Sequence, residues 1–163
     1  MSLVDDLASA IARYEGFYTA GSLAARNNNP GNLRSWGSYP VVNGYVQFPD
    51  AATGWAALRA QVTKNIGRGL NLYEFFGGKP GTYAGYSPSG DNNNPNRYAE
   101  TVAAWLGISP NTVLSAVNPS EAPATTEPWP APSFGLELPE VPDWIPYAAA
   151  AIAAVSLIVL ASD

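Results

Sequence analysis

From Asn118 to Asp143 the sequence reads NPSEAPATTEPWPAPSFGLELPEVPD, and this recurrence of proline constrains the chain more than any other feature. Each proline fixes φ and lacks an amide donor, so neither a helix nor a central strand propagates through the stretch. The segment is predicted to be a semi-extended spacer, reaching at most roughly 80 Å at ~3.1 Å per residue, and its acidic side chains oppose collapse. It divides the chain into a folded domain over residues 1–117, a Pro-rich acidic linker over 118–143, and a final segment over 144–161.

That final segment, WIPYAAAAIAAVSLIVLA, carries no charge. As a helix it spans ~27 Å, close to the ~30 Å hydrocarbon core of a bilayer. Asp143 is placed to cap it, Pro146 falls in its first turn, and Trp144 and Tyr147 suit the water interface. The expectation is a single-pass C-terminal transmembrane helix whose Ala-rich faces can pack on other membrane helices; the alternative is an apolar helix buried in the domain. No Lys or Arg flanks the span, so its orientation is not readable. MSLVDDLASA at the N-terminus has neither a basic start nor a long apolar run and does not read as a secretory signal.

The chain has 163 residues, 47% of them hydrophobic, which suffices for one packed domain. It contains no Cys and no His. Thiol nucleophiles, disulfides, histidine metal sites and the Ser-His-Asp arrangement are therefore excluded, and acid or base chemistry near neutral pH falls chiefly to carboxylates. All eight basic residues lie before Val117 against seven acids, leaving the domain near +1, while the remaining six acids give the tail a charge of -6. With no basic stripe and no phosphate loop, nucleic acid and nucleotides are poor partners, and no cofactor is expected.

Leu3, Leu7, Ile11 and Tyr14 form the apolar stripe of an amphipathic helix. Glu15 lies four residues past Ile11, so it continues the buried ridge, with Gly16 as a helix stop. Partial desolvation and the negative end of the helix dipole both oppose ionisation there, predicting a raised pKa, the property of a proton-donating carboxylic acid. The competing reading is a helix-end Glu paired with Arg13, Arg26 or Arg34.

Downstream, Asn27 to Asn32 is a dense turn signal. Pro40 to Phe48 reads as a short hairpin about Asn43-Gly44. Asp50 is expected to cap a helix with Trp55, Leu58, Val62 and Ile66 on one face, ending around Gly67 to Gly69. Leu72 to Phe76 reads as a short helix, Gly77 to Asn94 as loop, and Pro95 as the start of a helix with Tyr98, Val102, Trp105 and Leu106 inward and Gly107 as its stop. A last short helix is expected from Ser109-Pro110 through Val117. The layout is α+β and mainly helical.

Glu15-Gly16-Phe17 followed by Arg26-Asn-Asn-Asn-Pro-Gly-Asn-Leu-Arg34 resembles the start of the lysozyme-like lytic transglycosylase domains of bacteriophage virion proteins and related bacterial proteins. FPDAATGWAAL (Phe48 to Leu58) and YSPSGDNNNPNRYAETVAAWLGI (Tyr86 to Ile108) resemble that family's later motifs. Four ordered motifs over roughly Leu7 to Ile108 are more specific than any one alone. The resemblance implies a lysozyme-like fold, Glu15 as general acid, and cleavage of the β-1,4 bond between N-acetylmuramic acid and N-acetylglucosamine in peptidoglycan. It further implies a virion-associated enzyme assisting genome entry or lysis, in the virion membrane or host envelope, with glycan strands, a lipid membrane at residues 144–161, and other virion membrane or capsid proteins as partners.

Asn29, Asn32, Tyr86, Ser87 and Asp91 are the candidate substrate-binding residues, offering polar groups for sugar hydroxyls and for developing positive charge. Turn capping is the competing role for the asparagines. Tyr14, Tyr18, Trp36, Tyr39, Tyr83 and Tyr86 are candidate faces for sugar rings. Hydrolysis by a muramidase would need a second carboxylate about 5 to 9 Å from the first, from Asp50, Glu74 or Asp91, with Asp91 the most credible. A catalytically inactive glycan-binding or structural virion membrane protein is the non-enzymatic alternative.

Overall fold

Ser2 starts the first helix by accepting a hydrogen bond from the Asp5 amide, and Asp5 and Asp6 sit at the positive end of the helix dipole. Helix α1 runs Leu3–Tyr14. Leu7 and Ile11 of its apolar stripe are fully buried, whereas Tyr14 is 37% exposed at the rim. The helix stops as expected: the Phe17 amide donates to Ala12 O at 2.9 Å, Gly16 to Arg13 O at 3.1 Å, and Gly16 takes φ +73°. This paired closure fixes Glu15 as the cap residue. The computed structural model describes residues 2–89 and 94–117; the 118–143 linker, the 144–161 helix and Asp91 lie outside the described residues.

A four-residue helix α2, Leu23–Arg26, follows, its first turn capped by Ser22. Sequence patterning does not distinguish it from the turn after it, because one helical turn has no periodicity. The Asn27–Asn32 loop then crosses to the hairpin, made of β1 (Val41–Val42) and β2 (Tyr45–Val46), antiparallel, with Val41 opposite Val46. Asn43 and Gly44 take φ +52° and +83°, the two left-handed positions of a type I′ turn.

Asp50 caps α3 (Ala51–Gly67) through the Thr53 amide at 2.7 Å. Leu58 and Val62 are buried in the core, with Trp55 and Ile66 packed at its edge. Asn71 and Glu74 form a reciprocal capping box on α4 (Leu72–Gly77), and Pro95 opens α5 (Pro95–Leu106), which ends at left-handed Gly107. Tyr98, Val102 and Leu106 face inward and Trp105 packs partly buried against the same core.

The short helix expected from Ser109-Pro110 through Val117 is confined to a 3-10 helix, Leu114–Ala116. The α-type bond from the Leu114 amide to the Pro110 carbonyl is not made, because both groups pair elsewhere. Leu114 donates to Leu70 O at 2.9 Å, and Pro110 O accepts from Leu72 at 3.0 Å.

The architecture is α+β, mainly helical with a two-stranded antiparallel hairpin. α1, α3, α4 and α5 surround one core that includes Phe75, Phe76 and Leu114, and a smaller cluster of Leu33, Val46, Phe48 and Ala57 lies under the hairpin. Tyr86 packs against both clusters. Among the described residues no helix is long and apolar enough to cross a membrane.

At Gly54, α3 touches the asparagine loop directly: a Cβ there would overlap the Asn28 carbonyl oxygen and press on the Pro30 ring at 2.9 Å. Both neighbours are rigid, so the loop or helix must shift to admit a methyl. Gly54→Ala is expected to destabilise the fold by about 1–3 kcal/mol or more, the range of core overpacking, despite alanine's better helix propensity. Urea unfolding measures it.

Candidate active site

The closure of α1 holds Glu15 at the floor of a cleft of about 490 Å³. Gly31 to Trp36 and Tyr45 line the cleft from the hairpin side of the sequence, and Gln61, Tyr83 and Gly85 to Pro88 complete it. Amides in the second group are anchored on α4: Tyr86 N donates to Phe75 O and Ser87 N to Phe76 O, both at 2.9 Å.

Each oxygen of the Glu15 carboxyl accepts one hydrogen bond, Oε2 from Asn32 Nδ2 at 2.9 Å and Oε1 from Tyr98 OH at 2.8 Å. Both donors are neutral. Burial pushes the Glu15 carboxyl above the ordinary glutamate value, outweighing the downward pull of Asn32, Tyr98 and the Arg34 charge. The group is therefore biased toward holding a proton while its oxygens stay fixed in direction. The ion-pair alternative fares differently for each arginine: Arg26 donates to Gly21 O at 2.9 Å and Arg13 lies over the Trp105 ring, while Arg34 acts on Glu15 through its charge.

Tyr98 is held in a column of three rings. It stacks on Tyr14 with centroids 3.6 Å apart and on Phe76 at 3.9 Å, both within 18° of parallel. Burial first, then the nearby Glu15 charge, raises its phenol well above the ordinary value, so it remains a donor. Tyr86 is likewise kept protonated and donates to Gly31 O. A Cβ at Gly31 would collide with that hydroxyl and with Leu58, so only glycine allows the loop to pass this close.

Four of the expected site residues converge here: Glu15, Asn32, Tyr86 and Ser87. Asn29 is a correction. It is fully buried, and its amide is spent on the backbone, donating to Leu33 O and Val46 O and accepting from Leu33 N, each at 2.9 Å. It positions Asn32 rather than meeting a ligand. Tyr14, Trp36, Tyr83 and Tyr86 line the cleft, whereas Tyr18 and Tyr39 are not among its lining residues.

Of the other acids considered, Asp50 is an exposed cap and Glu74 is engaged by its capping box and by Lys79 at 2.9 Å. Among the described lining residues Glu15 is the single carboxylate. No group of three or more His, Cys, Asp or Glu side chains converges among the described residues. Tyr98 was legible only as a core-facing helix residue. The signal for more was its hydroxyl, since a buried tyrosine requires a partner.

A raised folded pKa means that the Glu15 proton contributes stability fully below the unfolded glutamate value (~4.3) and loses it as pH rises through the folded value. Glu15→Gln keeps a neutral group at every pH. The variant is expected to gain stability over the parent as pH rises above about 4.3, with no gain below it, in denaturant titrations across pH. Asn32→Ala removes a bond that favours the carboxylate, and a carbon-detected NMR titration should place the Glu15 midpoint higher still.

No family model, curated protein or solved structure matches this chain.

Proposed function

We propose that the 1–117 domain is a lysozyme-like lytic transglycosylase that opens the β-1,4 bond between N-acetylmuramic acid and N-acetylglucosamine in peptidoglycan. The observation that carries this reading is a partly desolvated carboxyl, the single one among the described residues lining the cleft, with both oxygens held by neutral donors. Such a group serves a reaction that needs one carboxylate in two successive roles. Protonated Glu15 donates its proton to the bridging oxygen as the bond from C1 to that oxygen breaks. The resulting carboxylate then takes the proton of the muramyl 6-hydroxyl as O6 bonds to C1. The products are a free N-acetylglucosamine 4-hydroxyl and a 1,6-anhydromuramyl end, Glu15 regains its proton, and no water is consumed.

Tyr98 and Asn32 hold the carboxyl in line, and the Tyr86 and Ser87 side chains offer oxygens toward positive charge developing at C1. The four ordered motifs described above support the same reaction class and suggest a virion-associated enzyme, anchored through residues 144–161, that breaches a bacterial wall during entry or lysis. Lipid and other virion membrane or capsid proteins are the partners this placement requires.

Mass spectrometry of fragments released from purified peptidoglycan tests the reaction. Anhydro-ended muropeptides, each one water lighter than a reducing-end product, are expected. Reducing ends would assign a hydrolytic muramidase, with Asp91 as the second acid. Glu15→Gln is expected to lose roughly 10²- to 10⁴-fold in rate, the usual worth of a positioned general acid. Full cleavage by that variant would remove Glu15 from either mechanism. Glycan retention without cleavage by the parent chain would identify a binding module instead.

A further inference from the structure

Among the described residues lining the cleft, only Glu15 and Arg34 are charged. Arg34 stands two residues after Asn32, on the segment fastened to the hairpin by Asn29 and by the bond from Val46 N to Leu33 O at 2.8 Å. Its guanidinium carbon lies 5.5 Å from the centroid of the Tyr45 ring, which itself lines the cleft. A ring under the guanidinium steadies a long side chain and engages its face. The N–H donors lie in the guanidinium plane, in the fork that matches a carboxylate.

A polymer of N-acetylglucosamine presents only hydroxyl and acetamido groups, which give a cation little to recognise. The muramyl unit differs from it by a lactyl ether ending in a carboxyl group, either free or extended by an acidic peptide. We propose that Arg34, steadied by Tyr45, is a specificity residue that selects glycan bearing a carboxylate beside the cleaved bond over neutral N-acetylglucosamine polymers. This rests on the transglycosylase reading above and names what restricts it to wall glycan. The anion is either the lactyl carboxylate itself or a carboxylate of the attached peptide.

The test uses the full chain and three substrates: peptide-bearing glycan strands, the same strands stripped by an amidase to free lactyl carboxylates, and N-acetylglucosamine oligomers. Arg34→Gln is expected to lower the preference for anionic over neutral glycan, as a ratio of kcat/KM, by tenfold or more. The loss should sit in KM for the anionic strands, and Arg34→Lys should recover part of it. Loss confined to the stripped strands places the contact at the free lactyl carboxylate, loss confined to the peptide-bearing strands places it on a carboxylate of the peptide, and loss on both shows that the guanidinium reaches either anion.

Arg34 also acts on Glu15 through its charge, so binding is measured separately in the Glu15→Gln chain by co-sedimentation with insoluble peptidoglycan. There Arg34→Gln is expected to lower the bound fraction and flatten its dependence on salt. An unchanged preference, or an equal fall on neutral and anionic glycan, overturns the proposal. If the parent chain cleaves no glycan, the transglycosylase reading fails and the sedimentation result alone decides the role of Arg34.

Discussion

The amide of Asn29 is the tie on which the site depends. It sits inside the domain with both ends engaged, binding the Leu33 backbone in both directions and reaching the carbonyl of Val46 on β2. A loop from Asn27 to Asn32 has no regular backbone pairing of its own, and burying it would leave polar groups unsatisfied at about 1–3 kcal/mol each. The asparagine side chains supply the missing partners. Asn27 Nδ2 donates to Val42 O and Asn28 Nδ2 to Phe48 O, both at 3.2 Å, so with Asn29 three successive residues bind the loop to the hairpin and the segment that follows it. With the loop fixed, Gly54 of α3 packs against its back, Gly31 passes under Tyr86, and Asn32 meets Glu15.

This division of labour explains what the sequence disclosed and what it withheld. The long elements were legible because their signals are local: a four-residue stripe in α1, Asp50 before α3, Pro95 before α5, and Asn43-Gly44 between apolar flanks. Glu15 was legible because a carboxylate on an apolar ridge is anomalous. The asparagines resisted assignment because a polar amide can serve the backbone or a ligand with the same groups. Asn29 and Asn32 are three residues apart, yet one is sealed inside and the other borders the cleft, and only the path of the loop decides which. The Leu70–Leu72 contact that turns the last helix into a 3-10 turn joins segments some forty residues apart and has no local signature.

The environment of Glu15 is a balance rather than a single effect. A buried carboxyl with no donors would stay protonated but would be free to rotate. One surrounded by cations would be oriented but ionised. Neutral donors on both oxygens give direction at smaller electrostatic cost, and burial still prevails. The absence of His from the whole chain sharpens the point, since the described residues lining this cleft offer one carboxyl for proton transfer, beside Tyr86 and Tyr98, which burial makes too basic to replace it.

The column of Tyr14, Tyr98 and Phe76 extends from the rim of the cleft to the hydrophobic core in two ring-to-ring steps. Its outer member lines the cleft, its middle member donates to the Glu15 carboxyl, and its inner member belongs to the packing between α4 and α5. A stack this close has little room for one ring to tilt alone. Pressure on Tyr14 therefore bears on the rigid interior of the domain, and in the reaction proposed above the Tyr98 hydroxyl that holds Glu15 would be braced against recoil as a bound glycan strand is bent.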